Sequence, residues 1–224
     1  MKSIIGVRFY SALNLGDDLF IYILSRRYGE NNILTYNQKI PSSLDKIYVL
    51  PRYKYIFFRA LEKITRKNFL DIWLSRSSEI YVYIGGSIFI ENNNLQKWEE
   101  ETRFYRDLSI PYYILGSNFG PHKNPKFVGI VRDIVSGAQD VCFRDKASYE
   151  LFKDIPSARV ATDIAFTLNT SMFESAPKQA KMVIISVIDA YSRFDRVTAD
   201  RYEREIVNLS RQLVKDGYKV TLMS

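Results

Sequence analysis

The stretch Ile80-Tyr-Val-Tyr-Ile-Gly-Gly-Ser87 decides the fold. Tyr81 to Ile84 run without a polar break, as a strand covered on both faces requires, and two glycines then end the run. The next segment, Leu95–Leu108, has the longer amphipathic pattern of a helix. A second continuously apolar run, Pro111–Leu115, follows and again ends at glycine, in Gly116-Ser-Asn-Phe-Gly-Pro121. Strand, helix and strand in this order form a βαβ unit, and such units build parallel sheets.

Working outward, the same alternation extends both ways. Toward the N-terminus, Ser3–Tyr10, Asn32–Tyr36 and Lys46–Leu50 read as strands. Asp17–Tyr28 reads as a helix, and Tyr53–Ser75 as a helical stretch broken near Lys67. Toward the C-terminus come a helix at Lys126–Ser136, a strand at Val141–Arg144, a short helix at Lys146–Lys153 and a strand at Ala158–Ala161. The expected fold is α/β: a mostly parallel sheet with helices on both faces. Residues 169–181 are small and polar without periodicity, which marks a linker. A fresh β-α-β pattern then runs through Met182–Ile188, Asp200–Asp216 and Lys219–Met223. A lone βαβ unit cannot close a core of its own. The expectation is one domain over residues 1–170 and the beginning of a second, incomplete one over 181–224.

Composition narrows the function classes. Apolar residues make up 46% of the 224, enough for a sizeable core. No apolar run approaches the ~20 residues of a membrane span, and two aspartates stand where a signal peptide would be cleaved. A soluble, cytoplasmic protein is expected. The single cysteine, Cys142, lies in the run Asp140-Val-Cys-Phe and reads as a buried thiol. One histidine, His122, leaves no His-based metal set, so no metal site is expected. The net charge of +7 suggests anionic company. Its densest group, Arg59, Lys63, Arg66 and Lys67, falls at helical spacing and reads as a solvated helix face. No nucleic-acid motif accompanies it.

In an open parallel sheet, ligands sit beyond the carboxyl ends of the strands. Four loops there carry chemistry. Asn14-Leu-Gly-Asp-Asp18 places Gly16 where backbone can approach a ligand closely. Asp17 or Asp18 caps the helix, or else hydrogen-bonds sugar hydroxyls or serves as general base. Paired carboxylates repel a bare phosphate, which excludes a Walker-type cradle. Gly85-Gly86-Ser87 either makes a tight turn or exposes backbone N–H groups to a ligand. Gly116-Ser117-Asn118 offers neutral donors, with His122 an exposed loop residue beyond it. Phe143-Arg-Asp-Lys-Ala-Ser148 supplies Asp145 as an N-cap, and Arg144 either to hold an anion or to pair with an acid such as Asp163.

Taken in order, Asn14-Leu-Gly-Asp-Asp, Ile84-Gly-Gly-Ser-Ile-Phe, Leu115-Gly-Ser-Asn-Phe-Gly-Pro, Phe143-Arg-Asp-Lys-Ala-Ser and Thr162-Asp-Ile-Ala-Phe resemble the polysaccharide pyruvyl transferase family. The resemblance implies two Rossmann-like domains in a GT-B-like arrangement with a cleft between them. It implies transfer of the enolpyruvyl group of phosphoenolpyruvate to a sugar as a pyruvate ketal, in cell-surface or exopolysaccharide biosynthesis. Asp17 and Asp18 are then the catalytic candidates. Asn14, Gly16, Gly85, Gly86, Ser87, Ser117, Asn118, Arg144 and Asp163 are the substrate-binding ones. Phosphoenolpyruvate is the donor substrate, and no organic cofactor is expected beyond it. The acceptor is a saccharide, often on a lipid carrier at the inner membrane face. The resemblance leaves room for peripheral membrane association and for a homo-oligomer. It also implies an Arg and a His from the second domain, and this sequence contains no Arg-x-His. Two other readings remain open: a sugar-nucleotide glycosyltransferase of GT-B shape, and a truncated, non-catalytic binding module.

Overall fold

The computed structural model describes residues 4–10, 15–91, 94–169, 171, 181–192 and 194–223. The chain divides into two compact units, Met1–Asn169 and Thr170–Ser224.

Unit 1 is built on a seven-stranded sheet. Its strands are β1 (Ile5–Arg8), β2 (Ile33–Thr35), β3 (Tyr48–Val49), β4 (Ile80–Ile84), β5 (Tyr112–Ser117), β6 (Asp140–Phe143) and β7 (Ala158–Val160). They lie in the order β3-β2-β1-β4-β5-β6-β7, and every pairing is parallel. The sequence suggested a mostly parallel sheet, and the described one is wholly so. Between the strands run α1 (Leu15–Tyr28), α2 (Arg52–Thr65), α3 (Phe69–Arg76), α4 (Leu95–Arg106), α5 (Pro125–Gly137) and α6 (Lys146–Glu150). A 3-10 turn, Ile164–Thr167, follows β7.

The chain works outward from β1 to the edge at β3, returns through α2 and α3 to β4 beside β1, and then works outward to β7. The direction of travel reverses between β1 and β4. In parallel α/β sheets, ligands bind beyond the carboxyl ends of the strands at such a switch point.

Alternation along the strands feeds two cores. Tyr81, Tyr112 and Ile114 join Leu74, Trp98, Tyr105, Phe127 and Val131 on the side of α3, α4 and α5. Ile5, Val7, Val82 and Ile84 join Phe20, Ile21 and Leu24 of α1, with Ile164 packed against them. Both faces of each central strand are covered, which explains why their sequences carry no polar alternation. Cys142 is buried in β6, and burial pushes its thiol up from the usual range.

Several local expectations shift. The break near Lys67 is real: Arg66 turns left-handed with φ 60°, and Glu62 reaches forward to accept a hydrogen bond from the Leu70 N–H at 3.0 Å. The proposed strand Lys46–Leu50 shrinks to two residues at the sheet edge. Helix α1 begins at Leu15, so Asp17 and Asp18 lie within its first turn and neither is the N-cap. They still meet the positive end of the helix dipole. Asp145 does cap α6, accepting from Ser148 N at 2.8 Å. The 3-10 turn after β7 was not foreseen. Asn14 and nearly all of the 169–181 segment lie outside the described residues.

In unit 2, β8 (Met182–Ser186) and β9 (Lys219–Met223) pair in parallel, joined by α7 (Arg196–Lys215). Asp195 caps α7 through Thr198 N, so this helix starts four residues before the expected Asp200. Among the described residues, no helix is long and apolar enough to cross a membrane.

Candidate functional site

Each candidate loop follows the carboxyl end of a strand, so the parallel sheet brings the loops to one rim. Asp17 comes after β1, Gly85 and Gly86 after β4, Ser117 and Asn118 at the end of β5, Arg144 after β6 and Asp163 after β7.

Two of these loops are zipped together beyond the sheet. Asn118 N donates to Gly86 O at 2.7 Å, and Gly120 N donates to Phe89 O at 2.7 Å. Glu91 N donates to Pro121 O, and the Glu91 carboxylate accepts from the backbone N–H groups of Lys123 and Asn124. Those two N–H groups hold the carboxyl of Glu91 below its ordinary range. The β5 loop is also tied to α6, because Phe119 N donates to Ser148 Oγ at 2.7 Å while Ser148 Oγ donates to Asp145. Backbone fixed in this way positions the side chains at the rim.

Arg144 stands at the centre. Its Nη1 donates to Asp163 Oδ2 at 2.9 Å and its Nη2 to Asn118 Oδ1 at 3.0 Å. Asp163 is held in turn, since its Oδ1 accepts from Ala165 N and starts the 3-10 turn. The guanidinium lies directly over Gly86: a Cβ there would sit 2.7 Å from its carbon and from both terminal nitrogens. Only a residue without a side chain leaves that space. Gly116 serves the rim differently. It adopts φ 74° at the irregularity between Leu115 and Ser117, and a Cβ would strike Ile164 at 2.9 Å.

Asp17 is buried, at 8% exposure. Its Oδ1 lies 3.7 Å from where a Cβ on Gly85 would be. Burial pushes its carboxyl up to about 6, reinforced by Asp18 and opposed by Arg144, with Asp163 adding to the rise. Burial also raises the half-buried Asp18. A carboxyl that titrates near 6 exchanges a proton readily near neutrality.

The other candidates stand in varied roles. Gly16 is half-buried in the first turn of α1 and Ser87 is exposed. Ser117 is fully buried, and its hydroxyl donates to the Asn118 carbonyl at 3.0 Å, so it fixes the loop. His122 is exposed with its ring 4.7 Å from that of Phe119. Sequence reasoning left Arg144 between an anion and Asp163, and the structure pairs it with Asp163. Glu91, Ser148 and Ile164 were missed. Each acts across loops; Ser148 and Ile164 stand in the quoted segments without an assigned role, and Glu91 lies outside them.

A second charged group lies under α3 and α4. Arg8, the last residue of β1, donates to Glu101 Oε1 at 2.6 Å and lies 3.2 Å from Asp71 Oδ2. Tyr36 and Tyr81 donate to Asp71 Oδ1 at 2.9 and 2.7 Å, and the guanidinium sits 4.2 Å over the Tyr83 ring. This group pins two helices to the sheet.

Among the described residues no group of three or more His, Cys, Asp or Glu side chains is placed to hold a metal ion. For an anion, Arg144 is the residue equipped.

Comparison with curated proteins returns no match. Comparison with family models returns one, Polysaccharide pyruvyl transferase, over residues 14–224. That match takes in the Asp17–Asp18 turn, all four later strand-end loops and unit 2, and on it the chain belongs to the polysaccharide pyruvyl transferase family.

Proposed function

We propose that unit 1 presents the substrate-binding rim of an enzyme that transfers the enolpyruvyl group of phosphoenolpyruvate to a saccharide as a ketal. The observation that supports this most is the convergence of Asp17, Gly86, Asn118, Arg144 and Asp163 at one rim, with a proton-exchanging carboxyl beside a guanidinium.

The reaction sets clear demands. The methylene carbon of phosphoenolpyruvate gains a proton, which leaves its neighbour electron-poor. Two sugar hydroxyls bond to that carbon in turn, each giving up its proton, and the C–O bond to phosphate breaks. One of the two protons balances the new methyl group and the other leaves with phosphate. Asp17 suits the proton transfers, since it is protonated and deprotonated at comparable cost near neutrality. Arg144 suits the anion. The bonds to Asp163 and Asn118 use two of its five N–H donors, and being held by them it is oriented before the donor arrives. Gly86 leaves room for the Arg144 guanidinium to lie over the backbone, Gly85 does the same for Asp17, and Asp18 orients an acceptor hydroxyl.

The test is stabilisation of the chain by phosphoenolpyruvate. A ligand at 100 times its Kd raises stability by about 2.7 kcal/mol. The expected result is a rise in melting temperature with phosphoenolpyruvate, lost in Arg144→Gln, and none with nucleotide sugars. Stabilisation by nucleotide sugars alone overturns the proposal.

A further inference from the structure

Helix α2 is amphipathic, yet the face that a globular helix buries is turned outward. Tyr53, Ile56, Phe57, Ala60 and Ile64 follow the spacing of one helical stripe. Their large members are 70%, 57%, 59% and 79% exposed (Tyr53, Ile56, Phe57 and Ile64 in turn). No residue of α2 is fully buried, and the side toward α3 carries the half-buried Tyr55, Phe58, Leu61 and Glu62.

Charge says what covers this stripe. Residues 52–67 hold six cations, Arg52, Lys54, Arg59, Lys63, Arg66 and Lys67, all exposed, against one carboxylate, Glu62. Glu62 is already engaged by Arg59 and by Leu70 N. Six less one leaves +5 in sixteen residues, out of +7 for the whole chain. On the helical wheel Arg52, Arg59 and Lys63 flank one side of the stripe and Lys54 the other. A second copy of the chain would bring +5 against +5. A nucleic acid would leave the apolar stripe in water. A convex helix with bulky apolar residues at its crest and cations along both flanks matches the boundary of an anionic bilayer.

The position fits too. Helix α2 begins just after β3 ends, and Arg66, Lys67 and Asn68 share a surface depression with Asn94, Gln96 and Lys97 at the start of α4. Helix α4 follows the carboxyl end of β4, so both ends of α2 lie at the carboxyl-end side of the sheet.

We infer that α2 is an in-plane membrane anchor that docks unit 1 on anionic lipid through Tyr53, Ile56, Phe57 and Ile64. The test is co-sedimentation of the 224-residue chain with vesicles, either phosphatidylcholine alone or phosphatidylcholine mixed with phosphatidylglycerol. The chain binds the mixed vesicles and not the neutral ones, and added salt weakens the binding. Ile56→Ser with Phe57→Ser, and separately Lys54→Gln with Lys63→Gln, each weaken it at least ~10-fold. All four positions are exposed, so the melting temperature stays unchanged. Three results overturn the inference: equal binding to neutral vesicles, no binding to either, or variants that bind like the parent. A dimer that forms without vesicles and is lost in the Ile56→Ser, Phe57→Ser variant also overturns it, in favour of self-association. None of these readouts involves turnover, so the inference stands or falls apart from the transferase reading.

Discussion

Unit 1 holds two clusters of the same make-up, an arginine at the carboxyl end of a strand (β1 for Arg8, β6 for Arg144) set among carboxylates, and they are finished differently. Around Arg8, both carboxylates are occupied, two tyrosine hydroxyls complete Asp71, and an aromatic ring covers the guanidinium. Around Arg144, the guanidinium is one-third exposed and rests on a glycine rather than a ring, and Asp17 is buried with its carboxyl pushed up to about 6. The first arrangement satisfies its charges and fixes α3 and α4. The second keeps a charge poorly solvated at an opening. Completion marks a structural cluster, and a maintained electrostatic cost beside solvent marks a functional candidate.

Deleting each arginine separates the two most sharply. Arg8→Ala leaves Asp71 and Glu101 buried without their cation and costs about 3–5 kcal/mol. Arg144→Ala removes a pair that solvent partly screens and costs under about 1 kcal/mol. Urea unfolding reads both as shifts of midpoint at constant slope. Equal costs would erase the distinction between the clusters.

The next effect is smaller and of opposite sign. The carboxyl of Asp17 is raised from 3.8 to about 6 in the folded state. Between those values the folded chain binds a proton that the unfolded chain lacks. Its contribution to stability is therefore full below about pH 4 and lost as pH rises through 6. Asp17→Asn removes that dependence. At pH 7.5 the variant is more stable than the parent, by on the order of 1–2 kcal/mol, and at pH 3.5 it has no advantage. Activity falls ~10²–10⁴-fold if the carboxyl handles protons. A variant destabilised at pH 7.5 would instead give Asp17 a structural role.

How much of this was legible follows from which interactions are local. Tyr81–Ile84 and Tyr112–Leu115 announce themselves because a doubly covered strand needs apolar residues at every position. In a parallel sheet, that alone brings the strand-end loops to one rim. The Arg8 cluster stayed hidden because residues 8, 36, 71, 81 and 101 meet only through the strand order. Asp71 and Glu101 look like ordinary helix acids until α3 and α4 are laid on the sheet. The partners of Arg144 were half legible: Asp163 stands after a strand, but Asn118 depends on the zipped loops. Helix α2 was legible by half. Its charges, read as a solvated face, are exposed, while its apolar stripe went unread and is exposed too.

The smallest stability effect tests how Arg144 is held. Gly86→Ala places a methyl group 2.7 Å from the guanidinium carbon and both terminal nitrogens. The head of an arginine is the flexible end of a long side chain, so it moves rather than strains the strand. Moving it forfeits the bonds to Asp163 and Asn118 while opening the charge to water, which together cost no more than deleting the arginine, on the order of 0.5 kcal/mol. The effect on binding is larger, because the donor then meets an arginine that must be reordered. Phosphoenolpyruvate affinity falls ~10-fold or more, measured by the same melting shift. The Gly86→Ala, Arg144→Gln double variant should bind no worse than Arg144→Gln alone, since both changes act on one guanidinium. Additive losses would mean that Gly86 serves the ligand directly, through its own backbone, and that the platform under Arg144 is incidental.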